Sequence, residues 1–287
     1  MDWVNALVQG TLLGGLYALF AAGLSLIFGI MRLVNIAHGD LIVLGSYLGL
    51  VVVTATGMHP LLALIVAVPV MAALGYVLQR GILNQTLGDD LLPPLLVTFG
   101  LSVIIQNALL EGFTADPQKM NAGAVETASV AFGGLQLGVL PLITFATAVG
   151  VIAGLQWMFY NTALGRAFRA VSDNQEIAQL MGLNRRHVFG LAMGLALAVT
   201  AIAGIFLGIR TSFDPAAGAG RLIFGFEAVI IGGLGNLWGT LAGGVILGVS
   251  QTLGAKIDPG YQILAGHIAF LVVLAIRPQG LFPRVSE

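Results

Sequence analysis

The chain has 287 residues, of which 57% are hydrophobic and 9% are charged, and its mean hydropathy is +0.96. Soluble domains usually carry about 25% charged residues, so this composition excludes an ordinary soluble enzyme and predicts an integral membrane protein. The formal net charge of -1 gives no basic footprint for nucleic acid at the level of the whole chain, and the absence of cysteine excludes disulfides and thiolate chemistry.

Eight apolar stretches follow one another along the chain, and most approach the roughly 20 residues that a membrane-spanning helix needs. They cover residues 7–31, 41–57, 61–77, 91–110, 135–160, 188–209, 224–254 and 261–276. The first and the seventh are long and rich in glycine, which is typical of broken helices. The pattern predicts an all-α integral membrane protein, with a single domain over residues 1–287. We expect a polytopic bundle of about eight transmembrane helices, of which one or two are broken or re-entrant.

Glycines recur four residues apart within these stretches. The pairs are Gly10 and Gly14, Gly204 and Gly208, Gly235 and Gly239, Gly239 and Gly243, and Gly244 and Gly248. Small residues at this spacing let helix backbones approach closely, which matters in lipid because no hydrophobic effect drives helices together. We expect tight helix packing at these positions rather than a direct role in binding.

Polar residues separate the first two apolar stretches, at Arg32, Asn35, His38 and Asp40. Burying several ionisable groups in hydrocarbon is costly. The sequence therefore favours a cytoplasmic turn here over a buried interruption that lines a polar cavity. An ion pair between Arg32 and Asp40 would lower the cost in either case.

Two polar connections lie later in the chain. Residues 111–134 contain charged and small residues and are expected to form an exposed loop, and residues 161–187 hold the densest basic patch, with Arg166, Arg169, Arg185 and Arg186. Short loops rich in Lys and Arg stay in the cytoplasm. This rule predicts that 161–187 is a cytoplasmic loop and that 111–134, one span earlier, is periplasmic.

The carboxyl-terminal tail presents a conflict with this count. Arg277 and Arg284 also favour the cytoplasm, yet three apolar stretches separate the tail from the basic loop, and an even number of crossings is required. Splitting the seventh stretch removes the conflict. The break is expected at Gly232, Gly233, Gly235 and Asn236, where backbone groups can be left free only if they are buried in protein or line a cavity.

Within the basic loop, residues 172–182 carry helix signals: a capping-box spacing of Ser172 and Gln175 and a glycine stop. Ile177, Leu180 and Met181 fall on one side of the predicted helix. The helix either lies on the bundle or lipid headgroups, or it is offered to a partner protein.

Two ionisable residues fall within the last two apolar stretches. Glu227 is interpreted as an interfacial residue paired with Arg221 or Arg210, with a role in a substrate pathway as the alternative. His267 is interpreted as a neutral, hydrogen-bonded packing residue.

Motifs for catalysis and metal binding are absent from the sequence. There is no phosphate loop, no H-E-x-x-H and no G-x-S-x-G, and the four histidines have no metal-ligand spacing. We therefore expect no catalytic residues, no metal site and no enzyme activity in this chain.

Four ordered motifs resemble the permeases of branched-chain amino acid ABC transporters, and in particular the smaller, H-type subunit. They are the run from Tyr17 to Asp40, the segment Gly165 to Ala170 followed by Ala178 and Gly182, the segment Glu227 to Asn236 with Gly239, and the tail from Arg277 to Phe282. The resemblance covers nearly the whole chain.

This resemblance implies an ATP-driven importer in a bacterial inner membrane. Such a permease pairs with a second homologous permease or a second copy of itself, docks two cytoplasmic ABC ATPases that bind the ATP and Mg, and receives substrate from a periplasmic binding protein. The permease itself binds no cofactor.

The resemblance also implies roles for residues of the chain. The ATPase-coupling loop would comprise Gly165, Arg166, Arg169, Ala170, Asp173, Glu176, Ile177, Ala178, Leu180, Met181 and Gly182. Apart from the resemblance, the polar interruption, the intramembrane carboxylate and the predicted break offer candidates for a translocation path or gate: Asn35, His38, Asp40, Glu227, Gly232, Gly233, Gly235 and Asn236.

Other functions stay open at this point. Urea and short-chain amide permeases share the same motifs, and the chain carries no sequence code for its cargo. A stand-alone secondary carrier or channel is less favoured. An intramembrane hydrolase is disfavoured, because no serine or aspartate pair stands beside a base.

Overall fold

The apolar segments form helices, because a chain in hydrocarbon must satisfy its backbone hydrogen bonds internally. The computed structural model describes residues 2–88, 90, 92–132 and 135–282. The helices are α1 (Asp2–Met31), α2 (His38–Thr56), α3 (Leu64–Gly81), α4 (Leu92–Phe113), α5 (Ala124–Thr127), α6 (Val139–Asn161), α7 (Ala163–Asp173), α8 (Gln175–Leu180), α9 (Arg185–Arg210), α10 (Gly218–Gly232), α11 (Leu237–Ile257) and α12 (Gln262–Ile276).

Within these described ranges, seven helices are long and apolar enough to cross a membrane: α1, α2, α3, α4, α6, α9 and α12, the third and the last extended by short 3-10 turns. Helices α10 and α11 pass the same test as a pair, but they meet at a bend of 117°. The predicted all-α polytopic bundle with a broken helix is confirmed. Of the two stretches considered for a break, the first is instead one continuous helix of 30 residues.

The connection between α4 and α6 contains more regular structure than an exposed loop. Helix α4 extends to Phe113, and strands β1 (Ser129–Phe132) and β2 (Leu135–Gly138) form an antiparallel hairpin in which Ser129 pairs with Gly138. The predicted span 135–160 therefore begins later, at Val139. Residues 133 and 134 of the predicted loop lie outside the described residues.

Helix α1 connects two opposite ends of the bundle. Near its start, Gln9 Nε2 donates a hydrogen bond of 2.7 Å to Gln136 O, and near its end Gly29 O accepts one of 2.8 Å from Ser172 Oγ. We call the first the hairpin end (residues 114–138) and the second the basic-loop end (residues 162–184). Helices α1 and α9 are the most buried of the spanning helices and form the centre of the core.

The chain makes four passes between the basic loop and its tail. Helix α9 runs to the hairpin end, where Gly208 O accepts a hydrogen bond from Met120 N at 2.8 Å. Helix α10 then runs to the basic-loop end, α11 runs to the hairpin end, and α12 returns to the basic-loop end. There, Leu281 N of the tail donates a hydrogen bond to Ile231 O at 2.9 Å. The tail therefore lies at the basic-loop end. The split of the seventh stretch is confirmed, and the even number of crossings follows from it.

Glycine contacts hold α1 against α11. A Cβ built on Gly10 would lie 2.6 Å from Val249 Cα, and one built on Gly14 would lie 2.5 Å from Val245 Cα. Gly29, two residues before the end of α1, lies next to Gly235. The two helices thus run antiparallel with their backbones in contact, as the four-residue spacing of glycines predicts.

We predict that Gly14→Ala destabilises the protein by about 1–3 kcal/mol, because the added methyl group forces the α1 and α11 backbones apart. The matched control is Gly154→Ala in α6, where a Cβ meets nothing within 4 Å. Thermal unfolding in detergent, followed by size-exclusion chromatography, compares the two. Equal stability of the two variants would contradict this packing.

Candidate functional site

Residues 32–37 run back into the bundle after α1 ends. His38 Nε2 lies 2.8 Å from Phe20 O, although Phe20 is 11 residues, or about 16 Å, back from Met31 along α1. Asn35 is fully buried, and Ile36 N donates to Thr98 Oγ1 at 3.3 Å. The interpretation of this segment as a cytoplasmic turn is therefore wrong. It is a buried, non-helical interruption, and α2 begins inside the bundle.

Asp40 is buried and takes its hydrogen bonds from α4. Its Oδ2 accepts from Ser102 Oγ at 2.5 Å, and its Oδ1 accepts from Gln106 Nε2 at 2.9 Å. The ion pair with Arg32 that would lower the cost of burial is not formed: Arg32 is exposed, whereas Asp40 is buried. Hydrogen bonds to an ionised carboxylate are stronger than neutral ones, and two of them lower the cost of burial.

Two helix amino termini meet at Asp40. The residue lies in the first turn of α2, and Gly218, the first residue of α10, packs against both Asp40 and Gly39 so closely that no side chain fits. The unpaired N–H groups at a helix amino terminus favour negative charge. The geometry therefore places a carboxylate where α2, α4 and α10 converge.

The break in the seventh stretch is held by local hydrogen bonds and by the tail. Gly233 and Gly235 have φ values of 102° and 79°, which residues with a side chain rarely adopt. Asn236 caps α11 by accepting from Gly239 N at 2.9 Å, and its Nδ2 donates to Phe282 O at 3.0 Å. Gly232 packs directly on Gly239. The four residues predicted at the break thus form one ordered turn.

A cavity of about 530 Å³ lies beside this turn, at the basic-loop end. Its walls come from α1, α6, α7 and the start of α11: Ser25, Leu26, Gly29, Ile30, Gln156, Phe159, Tyr160, Arg169, Gly235, Asn236, Leu237 and Trp238. Of the residues predicted for a path or gate, Gly235 and Asn236 line this cavity, whereas Asn35, His38 and Asp40 lie elsewhere.

Glu227 pairs with His267 across α10 and α12. Its Oε1 lies within hydrogen-bond distance of His267 Nδ1, and the Glu227 residue is 5% exposed. The interpretation of Glu227 as an interfacial residue paired with Arg221 or Arg210 is therefore wrong. His267 is hydrogen-bonded, as expected, but its side chain is 39% exposed on the outside of the bundle.

The basic loop folds as two short helices rather than one. Asn174 accepts hydrogen bonds from Glu176 N and Ile177 N, both at 3.0 Å, and so starts α8. The predicted capping box of Ser172 and Gln175 is wrong, because Ser172 lies within α7 and bonds to Gly29 O. Asn174 has the stronger capping geometry, and the helix starts two residues later than predicted.

Helix α8 presents an apolar face away from the protein. Ile177, Leu180 and Met181 are 58%, 86% and 79% exposed, whereas Ala178 is buried against the bundle. The remaining residues predicted for the loop divide by exposure: Arg166, Ala170, Asp173, Glu176 and Gly182 are exposed, Arg169 is half-buried over the Tyr160 ring, and Gly165 is buried. These three side chains are largely free of contact with the described part of the chain, as either a partner protein or lipid headgroups would require.

Sequence reasoning missed the α4 residues that contact Asp40. Ser102 and Gln106 are four residues apart in the fourth apolar stretch and therefore share one face of a helix. That spacing of polar residues within an apolar segment is a signal that could have found them.

Comparison with known proteins gives a family match over most of the chain. The family model described as the branched-chain amino acid transport system permease component matches residues 6–276. The chain is 28% identical, over an alignment of 297 positions, to the high-affinity branched-chain amino acid transport system permease protein BraD of Pseudomonas aeruginosa. The alignment covers 98% of this chain and 96% of that protein.

Two further relatives carry a similar name. The chain is 27% identical to the high-affinity permease protein LivH of Escherichia coli, with 98% of this chain and 96% of that protein covered. It is 26% identical to the probable branched-chain amino acid transport permease protein LivH of Methanocaldococcus jannaschii, with 96% and 91% covered. No solved structure matches the chain significantly.

We predict that Asp40 and Ser102 are energetically coupled. In a double-mutant cycle of Asp40→Ala and Ser102→Ala, the loss of stability in the double variant should fall short of the sum by about 0.5–3 kcal/mol, because both substitutions remove the same hydrogen bond. Unfolding of the purified protein in detergent measures each free energy. Asp40→Ala combined with Thr252→Ala in α11 serves as the control pair and should be additive within about 0.5 kcal/mol. Additivity of the Asp40 and Ser102 pair would contradict the contact.

Proposed function

Because the chain belongs to the family of branched-chain amino acid transport system permease components, we propose that it is the membrane-spanning subunit of an ATP-driven importer of branched-chain amino acids. The observation that carries this proposal is the similarity to BraD and LivH over nearly the full length of both chains. Their names specify branched-chain amino acids, which favours this cargo over urea or a short-chain amide.

The importer in this proposal needs partner proteins. A second permease, either homologous or a second copy of this chain, completes the membrane domain. Two cytoplasmic ABC ATPases supply ATP hydrolysis with their own ATP and Mg, so that this chain binds no cofactor and acts as a transport subunit. A periplasmic protein delivers the substrate, and the assembly lies in the bacterial inner membrane.

Helix α8 is the surface that we propose for the ATPases. Its exposed Ile177, Leu180 and Met181 suit an apolar pocket on a partner, and Asp173 and Glu176 stand beside them as exposed charges. The helix belongs to the most basic loop, which is expected on the cytoplasmic side. Burial by a partner accounts for this exposure better than burial in lipid headgroups, because the family requires an ATPase.

Movement of α8 has a direct route into the bundle. Helix α7 precedes it, and Ser172 of α7 bonds to Gly29 O of α1. Gly29 in turn contacts Gly235 in the break beside the cavity. We propose that closure of the ATPases moves this end of the bundle and changes which side of the membrane the path faces. Such coupling requires that the inward-facing and outward-facing states of the permease differ in affinity for the ATP-bound ATPases.

Reconstitution tests the proposed function. Liposomes holding the chain with its partner permease and ATPases, together with the binding protein, should take up labelled leucine only when ATP is present inside. Uptake that persists without the ATPases would instead support a stand-alone carrier or channel. ATP-dependent uptake of urea but not leucine would overturn the cargo.

We predict that the double substitution Leu180→Ser and Met181→Ser removes the ATPases from the purified complex. Burying a leucine or methionine side chain contributes about 1.5–3 kcal/mol each, so recovery of the ATPases should fall about tenfold or more. Both side chains are exposed, and the fold should be unaffected. Affinity purification with quantitative mass spectrometry measures the ratio.

The control for this experiment is Val130→Ser in the hairpin at the other end of the bundle, where the side chain is 51% exposed. This variant should retain the ATPases. Full retention by the α8 variant as well would show that α8 is not the docking surface.

A further inference from the structure

Tyr17 of α1 contacts α10 and α11 at residues that do not line the cavity. Tyr17 Oη donates a hydrogen bond of 2.5 Å to Gln251 Oε1, which joins α1 to α11. Phe224 of α10 lies against the Tyr17 ring, and Arg221 and Glu227 lie one turn before and one turn after Phe224 on that helix, while Arg210 is the last residue of α9. We call Tyr17, Arg210, Arg221, Glu227 and Gln251 the Tyr17 cluster.

Four atoms of this cluster are buried without a hydrogen-bond partner among the residues that the structure describes. They are Arg210 Nη1, Arg221 Nε, Gln251 Nε2 and Glu227 Oε2. Buried polar atoms in folded proteins are nearly always paired, so each exception requires an explanation. Unlike the six other unpaired buried atoms among the described residues, these four include atoms of two guanidinium groups and a carboxylate.

The missing partners have a definite chemistry. The three nitrogen atoms are donors, two of them on guanidinium groups whose planar shape matches a carboxylate. The free Glu227 Oε2 is an acceptor with negative charge and suits an ammonium group. A simple anion would meet repulsion from Glu227, whereas a ligand with a carboxylate at one side and an ammonium at the other would satisfy both parts.

Aromatic rings form an apolar wall beside the same atoms. The Tyr17 and Phe224 ring centroids are 5.2 Å apart, and Phe224 stacks with His267 at 6.5 Å. The Glu227 carboxylate is held by His267 through its other oxygen, Oε1. An aliphatic side chain attached to the ligand would therefore have an apolar surface to contact.

We propose that the Tyr17 cluster binds the carboxylate and ammonium groups of an α-amino acid during its passage, with Arg210 and Arg221 on the carboxylate and Glu227 on the ammonium. This site rests on the proposed function and extends it to named residues.

The test uses the assembled complex of this chain with its partner permease and ATPases, without binding protein. Equilibrium dialysis measures the binding of labelled leucine and its competition by two analogues. Leucinamide lacks the carboxylate, and 4-methylpentanoate lacks the ammonium. Both analogues should compete about tenfold or more worse than leucine, since each loses hydrogen bonds to a charged group.

The variants separate ligand recognition from a purely structural role. Arg221→Gln and Arg210→Gln should weaken leucine binding about tenfold and abolish the preference for leucine over leucinamide. Glu227→Gln should instead abolish the preference over 4-methylpentanoate. Arg80→Gln, an exposed arginine at the basic-loop end of α3, is the matched control and should bind as the wild type does.

Lysine substitutions keep the experiment informative if the glutamine variants fail to assemble. Arg210→Lys and Arg221→Lys retain the charge but lose the planar guanidinium, so binding should weaken while assembly persists. Assembled arginine variants with wild-type affinity and wild-type selectivity among the three compounds would overturn the site. So would an actively transporting wild-type complex that binds no leucine at millimolar concentration.

Failure of the site and failure of the proposed function are distinguishable. If the wild-type complex takes up no branched-chain amino acid in liposomes, the proposed function is wrong. If it takes up leucine but the cluster variants bind and select as the wild type does, only the site is wrong.

Discussion

The close contact between α1 and α11 is the interaction on which the rest of the structure depends. Lipid supplies no hydrophobic force between helices, so their association relies on backbone contact through small residues. Gly10 and Gly14 provide that contact from α1, and Gly244 and Gly248 provide it from α11. Because α11 is fixed along the whole of α1, its first turn is carried to the end of α1, where the break is formed.

Both interruptions of helix lie against protein rather than lipid. Residues 33–37 are buried or half-buried after α1 and bond to α4 through Ile36 N, and residues 233–236 lie between Gly29 and the tail. Irregular backbone is tolerated at membrane depth only where it is buried or lines a cavity. The packing of α1 therefore makes both interruptions possible, and each supplies polar groups where a regular helix would supply none.

Local patterns predicted the features that depend on local physics. Apolar length predicted the spans, charge parity predicted the split near Gly233, and helical spacing predicted the exposed face of α8. The position of Asp40 depends on Ser102 and Gln106, 62 and 66 residues away, and that of Glu227 depends on His267, 40 residues away. The cost of burying an ion is decided by such partners, which no local pattern identifies.

The unbroken course of α1 connects the docking surface and the amino acid site that we propose. Ser172 holds α1 at Gly29, and Tyr17 lies 12 residues, or about 18 Å, further along the same helix. A continuous helix moves as a rigid body, so a displacement at the basic loop reaches the Tyr17 cluster without loss. A break between these residues would separate the ATPase surface from the amino acid site. The glycines of α1 serve its packing against α11, and the break lies instead between α10 and α11.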